Sequence, residues 1–85
     1  MQIAFDIASS AAPNPLLSVN IYNLEGNLVR VIHDQTPFRR GKSVINWDGQ
    51  TDNGVLARNG RYLVRVLVED PADREEKIKS VVLIK

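Results

Sequence analysis

Apolar and polar residues alternate through nearly the whole chain, in short runs that each end at Gly, Pro, Asn or Asp. A period of two places every second side chain on one face of a strand, so the pattern predicts strands and leaves little room for helix. Ile3, Phe5 and Ile7 alternate with Gln2, Ala4 and Asp6 as a first strand. Ala8 to Pro15 reads as a loop. Leu17, Val19 and Ile21 form the apolar side of a second strand, and Glu25-Gly26-Asn27 is a tight turn into a third over Leu28 to His33. Together these predict a hairpin. Gln35 to Lys42 reads as a longer connection, and Ser43 to Trp47 as a fourth strand with Ile45 and Trp47 on one face. Val55 to Ala57 reads as a short edge strand. Arg61 to Glu69 is the longest strand, with Tyr62, Val64, Val66 and Val68 facing the core. After a polar loop from Asp70, with one helical turn allowed over Ala72 to Glu76, Lys77 to Lys85 is the last strand. Its core face is assigned to Ile78, Val82 and Ile84. Six or seven such strands predict an all-β, two-sheet antiparallel sandwich.

Length and composition set the other bounds. The 85 residues make one domain, spanning 1–85. Eleven basic against ten acidic residues give a net charge of +1. That balance lacks the basic stripe of a nucleic-acid binder, and Arg39-Arg40 with Lys42 reads as a solvated loop. With no cysteine, disulfides, thiolate metal sites and a cysteine nucleophile are all ruled out. No apolar run approaches the ~18 residues of a membrane helix, so no membrane insertion is expected. The N-terminal residues lack the basic flank of a signal peptide.

Three blocks stand out. The first is Val19-Asn20-Ile21-Tyr22-Asn23-Leu24-Glu25-Gly26-Asn27-Leu28-Val29-Arg30. The second is Trp47-Asp48-Gly49-Gln50-Thr51-Asp52-Asn53-Gly54, and the third Asn59-Gly60-Arg61-Tyr62. In order and spacing they resemble the Ig-like domain named from the flagellar hook-capping protein, the FlgD-type Ig-like domain. The resemblance implies an immunoglobulin/fibronectin III-like sandwich, found near the C-termini of bacterial surface and secreted proteins. The residues also make sense physically. Trp47 plugs the sandwich and needs one acceptor for its N–H. Asp48 and Asp52 are suited to Asx-turns, and Gly26, Gly49, Gly54 and Gly60 to turn conformations. Tyr62 is placed to tie its hydroxyl across a loop, as in a tyrosine corner. The motif therefore reads as a folding signature, with Tyr22 and Gly26 marking its first block.

Catalytic patterns are weak. His33 is the single histidine, and its neighbour Asp34 points to the opposite strand face. No G-x-S-x-G elbow or phosphate loop is present. Asp48, Asp52 and Asn53 fail the alternating ligand spacing of a calcium loop, so no metal and no cofactor is expected. A candidate interaction face comes from Leu63, Leu67, Val81 and Leu83, which fall opposite the assigned core faces of the two long strands. The free strand edges are a second candidate contact.

The expectation is a non-catalytic structural or interaction module, within or at the C-terminal end of a larger extracellular or cell-envelope protein. Its expected partners are neighbouring domains of that polypeptide or an envelope protein, with self-association through the apolar face a further option. A C-terminal sorting or secretion domain is the first alternative. A carbohydrate-binding accessory module is the second; it needs exposed aromatics from among Phe5, Tyr22, Phe38, Trp47 and Tyr62.

Overall fold

The alternation is realised as six strands: β1 (Gln2–Ile7), β2 (Leu16–Asn23), β3 (Leu28–Pro37), β4 (Gly41–Asn46), β5 (Gly60–Glu69) and β6 (Arg74–Leu83). The computed structural model describes residues 1–7, 15–37, 41–69 and 74–84. The expected loop at Ala8 to Pro15 lies outside these residues except for Pro15, as do Phe38, Arg39, Arg40 and the start of the Asp70 loop. Among the described residues there is no helix.

All strand pairs are antiparallel and fall into two sheets. The larger sheet runs β3-β2-β5-β6, and the smaller one pairs β1 with β4. In the immunoglobulin arrangement this connectivity corresponds to the C′-C-F-G sheet facing strands B and E. The chain is an all-β sandwich, with β2 and β5 at the centre of the larger sheet.

The core forms where the two inner faces meet. β2 contributes Leu17, Val19 and Ile21, and β5 contributes Tyr62, Val64, Val66 and Val68. Ile3, Ile45 and Trp47 close it from the smaller sheet. Branched side chains suit this pleated surface, and each fully buried one stabilises by roughly 1.5–3 kcal/mol relative to exposure.

Four sequence expectations are corrected. β3 continues past His33 to Pro37, so the connection to β4 is shorter than expected. A register shift lies between His33 and Thr36, where Gln35 has a φ of 49°, an irregularity that local patterning does not signal. Val55 to Ala57 is no strand: a lone bridge joins Gln50 to Leu56. The last strand begins at Arg74, so residues 74–76 are extended and not helical.

The fourth correction concerns the faces of β6. Tyr62 pairs with Val81 and Gly60 with Leu83, which turns the odd-numbered residues of β6 inward. Leu83 is buried in the core and Val81 packs against it, while Ile78, Val82 and Ile84 are exposed. Both parities of β6 carry branched residues, so periodicity alone does not choose the face.

Candidate functional site

The motif residues converge at one end of the sandwich, where the chain runs from β4 to β5. Trp47 is 1% exposed. Its indole Nε1–H donates to the Gln50 carbonyl at 2.9 Å, which meets the need of a buried donor. Its ring meets Tyr62 edge-on, with centroids 5.2 Å apart. The Tyr62 hydroxyl donates to the Arg58 carbonyl at 2.6 Å, the tie expected of a tyrosine corner.

Between these aromatics the loop folds on itself. Asp48 Oδ1 accepts the Gln50 N–H at 2.9 Å, an Asx-turn as expected. The Ala57 N–H donates to the Gly49 carbonyl at 2.8 Å, and the Thr51 N–H to Val55 at 2.8 Å. Gly49 sits at φ +79°, in left-handed space that a Cβ disfavours, and packs beside Leu83.

Asp52 works differently from expectation. Its Oδ1 accepts the Val31 N–H at 3.1 Å, and its own N–H donates to the Val29 carbonyl at 3.1 Å. The residue thus covers the open edge of β3 as a partner strand would. Arg30 adds a hydrogen bond from Nη1 to the Thr51 carbonyl at 3.0 Å. Turn chemistry is local and readable; a partner 21 residues away is not.

At the β2–β3 turn, Asn23 Oδ1 accepts the N–H groups of Glu25 and Asn27. Gly26 supplies the positive φ there. A groove of about 460 Å³ lies between this turn and the Trp47 loop, lined by Glu25, Thr51, Leu56, Arg58 and Tyr62 among others. The hydroxyl of Tyr62, one of the lining residues, is already engaged with the Arg58 carbonyl. His33 is half-buried opposite Val19, away from this end of the sheet. Among the described residues no group of three or more His, Cys, Asp or Glu is arranged to hold a metal ion.

The interaction face predicted from sequence divides. Leu63 and Leu67 lie on the outer side of β5, Leu63 half-buried and Leu67 buried outside the main core cluster. Val81 and Leu83 belong inside. Their places on the outer face go to Ile78 and Val82, which stand 61% and 50% exposed. The pairing of Leu63 with Ser80 and of Arg65 with Ile78 would have identified them, had the hairpin register been known. Leu28 and Val31 extend the apolar surface on β3. Across it, Arg65 Nη2 donates to Glu76 Oε2 at 2.7 Å. This hydrogen bond, with the Arg65 charge, lowers the Glu76 pKa.

No curated protein and no solved structure matches the chain. The model of the FlgD Ig-like domain matches residues 1–71, a stretch that includes all three sequence blocks and the loop they build. The chain therefore belongs to the FlgD Ig-like domain family.

Proposed function

We propose that this chain is a non-catalytic module that spaces, anchors or assembles a larger bacterial extracellular or cell-envelope protein. The observation that carries this reading is how the family's polar motif residues are used. Trp47, Asp48, Asp52 and Tyr62 each have an intramolecular hydrogen-bond partner and hold the Trp47 loop or the β3 edge. Such residues build a scaffold, and a scaffold acts through the surfaces it presents. The outer side of the larger sheet, with Leu63, Ile78 and Val82, is the surface assigned to a neighbouring domain of the same polypeptide.

The test is an immunoblot of the source organism with an antibody to this domain, on separated cytoplasm, envelope and medium. The proposal predicts a band much larger than 9.5 kDa in the envelope or medium. A band of 9.5 kDa confined to the cytoplasm contradicts it.

A further inference from the structure

We propose that the groove between the β2–β3 turn and the Trp47 loop binds an extended segment of a partner protein, one that sets an apolar residue between a basic and an acidic one. Its volume of about 460 Å³ falls within the ~300–1,000 Å³ of ligand pockets. The inner lining is apolar: Ala57 and Tyr62 are buried and Val29 is half-buried. Leu56, 60% exposed, adds a large apolar side chain that stands outside the core cluster. The two sides carry opposite charge, Glu25 on the turn and Arg58 on the loop, both exposed. Among the described residues neither the Glu25 carboxylate nor the Arg58 guanidinium forms an ion pair or hydrogen bond.

The paired charges decide the class of ligand. A polyanion is attracted at Arg58 and repelled at Glu25. A glycan finds no aromatic face, because Tyr62 is buried and its hydroxyl already donates to the Arg58 carbonyl. An extended peptide supplies both signs. Its side chains alternate, so positions i−2, i and i+2 face one way over about 14 Å. The central apolar residue enters the groove, and the outer two meet Glu25 and Arg58. Both charges sit on backbone that the motif holds in place. The Glu25 N–H donates to Asn23 Oδ1 at 3.0 Å. On the other side the Ala57 N–H donates to the Gly49 carbonyl, and the Arg58 carbonyl accepts the Tyr62 hydroxyl. The rim is thus preorganised, which lowers the ordering cost of binding. Asn23 adds a donor. Its Oδ1 accepts the N–H groups of Glu25 and Asn27, while its Nδ2 has no partner among the described residues and is left for a main-chain carbonyl of the segment.

This inference shares with the proposed function the premise of a protein-binding module, but uses a different surface. The experiment titrates capped pentapeptides into the 85-residue chain and follows the backbone amide resonances of Glu25, Leu56 and Arg58. The probe is Lys-Thr-Leu-Thr-Glu. The controls are Lys-Thr-Leu-Thr-Lys, Glu-Thr-Leu-Thr-Glu and Lys-Thr-Ser-Thr-Glu. The expected result is saturable shifts with the probe and binding about fivefold weaker with each control. Arg58→Glu makes Lys-Thr-Leu-Thr-Lys the tightest of the four, and Glu25→Arg does the same for Glu-Thr-Leu-Thr-Glu. Both positions are exposed, so neither variant disturbs the core. Ile78→Glu leaves peptide binding intact, so failure here is separable from failure of the outer-face reading. Equal response to all four peptides, no saturable shift with the probe, charge reversal without a change of preference, or groove amides that ignore the probe in the longer parent protein overturns the proposal.

Discussion

At the scale of single residues, the fold depends on a few polar atoms with one partner each. Tyr62→Phe removes the bond to Arg58 and leaves that carbonyl unpaired by protein, at a cost of about 1 kcal/mol. A urea titration followed by Trp47 fluorescence measures it. Asp52→Ala uncovers the Val31 amide as well as losing a bond, again about 1 kcal/mol. It carries a second signature: the uncovered Val31 amide on the β3 edge promotes self-association, which sedimentation at rising concentration detects. The first effect was legible in the sequence, because a tyrosine opening a strand after Asn-Gly has one economical use. The second was not, because Asp52 is also a good turn former and its real partner is set by sheet packing.

At the scale of elements, register decides what sequence leaves open. Tyr62, Val64, Val66 and Val68 fix the inner face of β5 without ambiguity, since the intervening positions include Arg65. β6 offers Ile78, Val82 and Ile84 on one parity and Val81 and Leu83 on the other, and its pairing with β5 selects the second set. β3 runs past the predicted end at His33 because its pairing with β2 resumes at Thr36 after a register shift, which the alternation does not show. With φ at 49° in a non-glycine residue, Gln35→Gly relieves left-handed strain and is expected to stabilise by up to about 1 kcal/mol. Thermal unfolding measures the shift.

The outer-face pair Arg65–Glu76 gives β5 and β6 a pH signature. The Arg65 hydrogen bond and charge depress the Glu76 pKa in the folded chain. Its contribution is therefore present above the unfolded carboxyl pKa of about 4.3, and is lost as pH falls through the lower folded value. Both side chains are exposed, so the effect is small and screened by salt. Glu76→Gln flattens this part of the acid limb in a stability-against-pH series, and added salt does the same to the wild-type chain.

At the scale of the whole molecule, the sandwich divides its labour. One end is closed by the Trp47 loop, where Trp47, Asp48 and Tyr62 each make an intramolecular hydrogen bond. The larger sheet turns an apolar, exposed side outward at Ile78 and Val82. The sandwich class was readable from strand number and spacing alone. The division into sheets of two and four strands was not, because pairing between strands distant in sequence leaves no local mark.

The central claim is that motif residues serve the scaffold while surface residues serve binding. The direct measurement compares two variants of the parent protein, Tyr62→Phe and a double Ile78→Glu, Val82→Glu, for domain stability and for crosslinking of this domain to its neighbour. The account predicts lower stability with crosslinking retained in the folded fraction for Tyr62→Phe. For the double variant it predicts stability kept and crosslinking lost. Loss of crosslinking in a fully folded Tyr62→Phe, with the double variant unaffected, would place the contact at the Trp47 end and contradict it.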